Sequence, residues 1–188
     1  MSKSPPETPA ADLAWPARLP PRGLKPRGDN RFVLTPPAAQ RAELAASLGL
    51  LALRKLRLSG TLRAEGRDGW RLDATLGATV TQPCVITAEP VTTRIDTPVT
   101  RLFLREADSE AAEEREFDGD DETEPLGEAI DLSHVLSEAL ALALPDYPRL
   151  PGAELGEARI APPGSAPLDD EEVKPFAGLA QLRDKLKE

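Results

Sequence analysis

The sequence predicts an α+β fold: an antiparallel meander of long strands covered by one or two helices, with a flexible proline-rich N-terminus and an acidic loop. Three observations carry that prediction. Apolar residues switch from helical spacing to strict alternation at Leu56 and back to helical spacing at Leu132. Glycine- or proline-bearing segments separate the alternating runs. Between the last run and the final helix lies EADSEAAEEREFDGDDETE, which is acidic and has no apolar period.

The 188 residues include 20 prolines and 13 glycines, which leaves one core of ordinary size with loose ends. Residues 1–30 are expected to be a flexible leader, because PARLPPRGLKPRGDN breaks every few residues and leaves only Trp15 and Leu19 as anchors. An α+β domain is expected over 31–150, beginning with the short β-compatible RFVL. Thr35 followed by Pro36 and Pro37 then marks a helix start, as N-cap and first turn, with Leu44, Ala45 and Leu48 as a modest apolar stripe.

Leu56, Leu58, Leu62 and Ala64 alternate with polar residues, so one face of this strand is buried and the other wet. EGRDG turns the chain, and Trp70, Leu72, Ala74, Leu76, Ala78 and Val80 take the inward parity of the return strand, making a long hairpin. A third strand, PVTTRIDTPVTRLFL, carries Val91, Ile95 and Val99 on one face, and its Pro98 marks a sheet edge because it has no N–H to donate. The insert 106–124 is expected to be disordered. AIDLSHVLSEALALALP resumes order as a helix capped by Asp131 or Ser133 and stopped by Pro145; Leu132, Val135, Leu136, Ala139, Leu140 and Ala143 form the stripe that covers the sheet. The tail 151–188 is rich in proline, glycine and acid and ends in a short amphipathic segment with Phe176, Leu179, Leu182 and Leu186.

The net charge of −9 is unevenly spread. Residues 1–105 carry 16 Lys and Arg against 9 Asp and Glu, whereas 106–124 carry 11 acids and a single arginine. A basic half joined to an acidic one points to interaction surfaces. MSKSPPETPA has no apolar run and no stretch reaches the length of a membrane helix, so neither a signal peptide nor a span is expected, and a cytoplasmic location is.

The chemistry-bearing residues are few. A single cysteine, Cys84, and a single histidine, His134, make no zinc set and no disulfide. Cys84 shares the even parity of Trp70 to Val80, so it is expected to be an inert packing residue, and His134 to be exposed one turn before Glu138. No phosphate loop, nucleophile elbow or paired carboxylates stand in a recognisable context, so no catalytic residue, cofactor or metal is expected. Lys55, Arg57, Arg63 and Arg71 share the outward parity of the hairpin and form a basic patch, the candidate contact for RNA phosphates or an acidic protein surface. Exposed basic residues also serve solubility and edge protection, no aromatics interleave with them, and Glu65 and Asp73 dilute the charge.

QPCVITAEPV, then the acidic insert, IDLSHVLSEALALALPDYPRLPGA and KPFAGLAQLR follow one another in an order and spacing that resemble the YceD family, the large ribosomal RNA subunit accumulation proteins. The resemblance covers most of the chain from WPARLPPRGLKP onward. Many members carry Cys-x-x-Cys where this chain has Cys84, Val85, Ile86 and Thr87, so a redox or metal role proposed for them does not transfer here. The resemblance implies a bacterial cytoplasmic, non-enzymatic ribosome biogenesis factor supporting 23S ribosomal RNA synthesis, processing or stability. It implies ribosomal RNA or a large-subunit ribosomal protein as partner, with neither DNA nor a membrane expected. The alternative is a holdase whose acidic insert shields a basic ribosomal protein.

Overall fold

The structure, a computed structural model, describes residues 10–67, 69–105 and 122–154. The chain divides into two units, Met1–Pro151 and Gly152–Glu188, and every element below belongs to the first. The acidic residues 106–121 and the tail from 155 onward lie outside the described residues, and with them most of the disordered-insert expectation and the terminal amphipathic segment.

The predicted meander is present. β3 (Asn30–Leu34), β4 (Ala52–Glu65), β5 (Gly69–Pro83) and β6 (Pro90–Leu104) run antiparallel to their neighbours in chain order. β4 and β5 pair from Glu65↔Gly69 at the turn to Ala52↔Thr81, as one continuous hairpin. Gly66, with φ 62°, takes the left-handed conformation in this turn. Pro98 sits on the stretch of β6 that has β5 on one side and no second ladder partner among the described residues. An edge of this kind is where a strand tolerates a proline, since a nitrogen on the open side has no ladder acceptor to lose.

The sheet is wider than the sequence suggested. β1 (Ala11–Leu13) lies parallel to β3 at one edge and β7 (Glu122–Pro125) parallel to β6 at the other, giving the order β1-β3-β4-β5-β6-β7. β2 (Arg18–Leu19) pairs antiparallel with β8 (Ile130–Asp131) in a separate two-stranded ribbon. Two expectations are thereby corrected. Residues 10–30 are not a loose leader: Leu13, Trp15 and Leu19 pack on the core, Ala17 is buried, and Ala17 N–H donates to Ser133 Oγ at 2.7 Å. The residues 122–124 assigned to the disordered insert are the start of β7. In both cases the backbone partners come from distant sequence, Phe32 for Ala11 and Leu102 for Thr123.

α1 (Ala38–Ser47) starts after Pro37, without a side-chain cap, so Thr35 is not the N-cap it was expected to be. Its end is a Schellman turn: Gly49, with φ 64°, takes the left-handed position, and Leu50 N–H and Gly49 N–H donate to the Ala45 and Ala46 carbonyls. α2 (Leu132–Ala143) is capped by Asp131, whose carboxylate accepts from the Ser133 and His134 amides. Its Leu132, Val135, Leu136, Ala139 and Leu140 are buried with Leu58, Leu62, Leu72, Leu76, Val80, Ile95 and Val99 of the sheet's inner face. Each such aliphatic side chain contributes about 1.5–3 kcal/mol by leaving water. Ala64, expected inside, is exposed beside the hairpin turn.

One cation breaks the apolar parity of that inner face. Arg101 is 6% exposed, with its Nε 3.3 Å from Glu124 Oε1 and its Nη2 3.7 Å from Glu138 Oε2. It thus ties β6 to β7 and to α2. Burial, with Glu138 nearby, raises the Glu124 carboxyl above its ordinary value despite the opposing pull of Arg101.

Candidate nucleic-acid interface

The face of the meander opposite α2 is built by cross-strand rows, since directly paired residues present their side chains on the same side. One row aligns Arg63 with Arg71, and the next aligns Arg31, Thr61 and Asp73. Further along stand Ser59 beside Thr75, then Arg57, Gly77 and Asp96. Past a β-bulge come Arg54, Thr79 and Arg94. The four candidate residues all reach this wet face, but the structure separates them into two pairs with different surroundings.

Arg63 and Arg71 are held by acids. Arg63 grips Asp29 with two bonds, Nε to Oδ1 at 2.8 Å and Nη2 to Oδ2 at 3.3 Å, and Arg31 approaches the same carboxylate at 3.7 Å. Asp73 accepts from Arg71 Nε at 3.1 Å and lies 3.8 Å from Arg63 Nη1. The Arg63 hydrogen bond is the main cause that holds the Asp29 carboxyl below its ordinary value, and Asp29 in turn holds the Arg63 guanidinium firmly protonated. At this end of the patch two aspartates offset most of the charge of three arginines.

Lys55 and Arg57 differ. Among the described residues neither meets an acid within ion-pair distance, and the same holds for Arg54. The register of β4 shifts between Arg54 and Arg57, and Lys55 sits in the bulge with φ 51°. The extra residue inverts the parity before it, so Leu53 and Leu56 are both buried while Arg54, Lys55 and Arg57 are all exposed. Strict alternation would have put Arg54 inside, and so it was missed. The spacing of three between Leu53 and Leu56 was the available signal.

Lys55 and Arg57 line a groove of about 390 Å³ together with Gly77, Arg94 and Asp96, and Arg54 stands in the same cross-strand row as Arg94. Gly77 forms its floor: a Cβ there would come within 2.9 Å of Arg94 Nη2, so the Arg94 and Asp96 side chains fold over the space that glycine leaves. Arg94 Nε donates to Asp96 Oδ2 at 2.7 Å, and this bond is the main cause that lowers the Asp96 carboxyl and raises the guanidinium.

Cys84 lies at the β5 to β6 turn, away from this face. It is 3% exposed, as expected for packing, but its surroundings are not those of an inert core thiol. The Thr87 hydroxyl, then the backbone N–H groups of Thr87, Leu150 and Ile86, donate to the sulfur and bring its pKa down to about 7. The turn is closed by Cys84 N–H to Glu89 O and by Val85 N–H to Pro148 O. His134 is exposed as expected and stands in the first turn of α2, whereas the chain reaches Cys84 beyond the other end of that helix, so the two are not brought together. No helix among the described residues is long and apolar enough to cross a membrane.

A family model described as "Large ribosomal RNA subunit accumulation protein YceD" matches residues 72–183, more than half of the chain. The match takes in Gly77, Cys84, Arg94, Arg101 and α2, and begins just after Arg71. No curated protein and no solved structure matches.

Proposed function

The chain belongs to the YceD family, described as large ribosomal RNA subunit accumulation proteins, and on that footing we propose that it supports accumulation of the large-subunit ribosomal RNA by contacting that RNA through the wet face of its meander. The reading makes it a cytoplasmic bacterial binding protein and not an enzyme, acting in synthesis, processing or stability of the 23S molecule. The observation that carries it is the group of cations on one sheet face with no acid partner among the described residues, since such a group favours a polyanion. Long, mutually paired strands supply a stiff platform, so side chains at fixed rungs keep their spacing without being reordered on binding.

The test is a pull-down of the full chain from cell lysate, with and without ribonuclease. Large-subunit ribosomal RNA should be enriched over small-subunit RNA, and the enrichment of accompanying ribosomal proteins should fall after ribonuclease treatment. Capture of a basic ribosomal protein that resists ribonuclease, with no RNA enrichment, would favour the holdase instead.

A further inference from the structure

We infer that the groove between β4, β5 and β6, lined by Lys55, Arg57 and Arg94 and flanked by Arg54 in the row of Arg94, binds the sugar–phosphate backbone of an RNA strand without reading its bases, and that Arg63 and Arg71 take no part. The inference rests on the RNA reading above and narrows it to one end of the face.

Four observations converge on this groove. Arg94 and Asp96 cancel each other, which leaves Arg54, Lys55 and Arg57 as three positive charges with no acid partner among the described residues. Arg63 and Arg71 are already hydrogen-bonded to the carboxylates of Asp29 and Asp73, which offset much of their charge toward a phosphate. Lys55 is one of two non-glycine residues among the described ones with positive φ, and a long side chain held in that region is a strain of the kind that persists at ligand-binding positions. Gly77, in the middle strand, leaves room for the Arg94 and Asp96 side chains to lie flat over it, and any side chain there would push them up into the groove.

The chemistry of the lining decides the ligand. Arginine presents a planar fork and lysine a point charge to phosphate oxygens, and the Ser59 and Thr75 hydroxyls add neutral donors. No aromatic residue lines the groove, so there is no platform for a stacked base. From β4 to β6 the groove spans two strand spacings, about 10 Å, and Arg54 to Arg57 along β4 is of similar length. A patch of that size covers a few neighbouring phosphates of one strand.

The test uses the full chain and two fluorescein-labelled RNA 20-mers, one of uridylate and one of adenylate, in anisotropy titrations across a series of salt concentrations. Equal affinity for the two is expected. The triple variant Arg54→Gln, Lys55→Gln, Arg57→Gln should bind at least tenfold more weakly at low salt. It should also flatten the salt dependence by about two units of slope, which is three phosphates at about 0.7 each for a single strand. The double variant Arg63→Gln, Arg71→Gln should keep the wild-type slope. Gly77→Val changes no charge and suits a strand, yet lifts the Arg94 and Asp96 side chains into the groove, and should weaken binding several-fold. Thermal melting confirms that each variant is folded.

A wild-type slope in the folded triple variant, or an equal loss in the double variant, would overturn the groove assignment. If that variant also still captures large-subunit ribosomal RNA, the broader RNA reading stands without the groove. Wild-type protein that ignores both RNAs but binds labelled polyglutamate would overturn both, in favour of an acidic protein partner. A strong preference for one of the two homopolymers would overturn the claim of base-blind contact.

Discussion

Cys84 and Thr87 occupy the two ends of a tight turn, and what they do to each other could not be read from parity. Alternation correctly placed the thiol out of solvent, but Pro83 ends β5 just before it, so the sulfur meets the N–H groups of the turn where an apolar wall was expected. Hydrogen bonds to a thiolate favour it, whereas the 3% exposure limits attack by any reagent. Thiolate absorbance is therefore expected to titrate with a midpoint about 7, while alkylation of the folded protein stays slow until it unfolds. The folded pKa lies below the ordinary 9.0, so the thiolate adds stability that is complete above pH 9 and is lost as the pH falls through 7. The melting-temperature gap between wild type and Cys84→Ser should accordingly be wider at pH 9 than at pH 6. A midpoint near 9, or a gap that ignores pH, would contradict this picture of the turn.

Elements were legible where a local period announces them. β4 from Leu56 to Leu62, β5, β6 and α2 have long periods, and most of their buried apolar residues follow from spacing. β1, β2 and β7 are two to four residues long and owe their existence to partners far along the chain. Yet Leu13, Trp15, Ala17 and Leu19 do alternate, and the prolines around them hid a period of two. Removing residues 1–19 should cost on the order of 4 kcal/mol in a urea melt, since it uncovers the core under three partly buried apolar side chains and Ala17 and leaves Ser133 Oγ without its donor. An unchanged midpoint would restore the loose leader. Arg101 was legible as inward-facing from its parity with Val99 and Phe103, but the acids that answer it were not, because Glu124 belongs to an edge strand with no sequence signal. Arg101→Leu should destabilise by about 2–4 kcal/mol at neutral pH, because it leaves Glu124 and Glu138 facing each other half-buried. Without Arg101 the Glu124 carboxyl is raised further in the folded state, so the loss should shrink as the pH falls through the carboxylate range. Unfolding curves at pH 7 and pH 4 check this, and an equal loss at both would contradict it.

At the scale of the molecule, the fold sorts its charge more finely than the sequence does. The four residues of the basic patch read from outward parity do share one face, but only Lys55 and Arg57 line the groove. What that reading lacked was the bulge at Lys55, which brings Arg54 round beside Arg57, and the pairing of β6, which adds Arg94 and Asp96. It also lacked Asp29, some 30 residues before the hairpin arginine it neutralises, because an ion pair across strands has no local pattern. On the proposed reading, this face supports accumulation of the large-subunit ribosomal RNA through the three cations at its open end. The most direct measurement is the ratio of large- to small-subunit ribosomal RNA in cells whose own copy is replaced by wild type, by Arg54→Gln, Lys55→Gln, Arg57→Gln, or by Arg63→Gln, Arg71→Gln, at matched protein levels, with cells lacking the protein as reference. The ratio should fall towards that reference in the triple variant and stay at the wild-type value in the double variant. A wild-type ratio in cells that hold the folded triple variant would contradict the account.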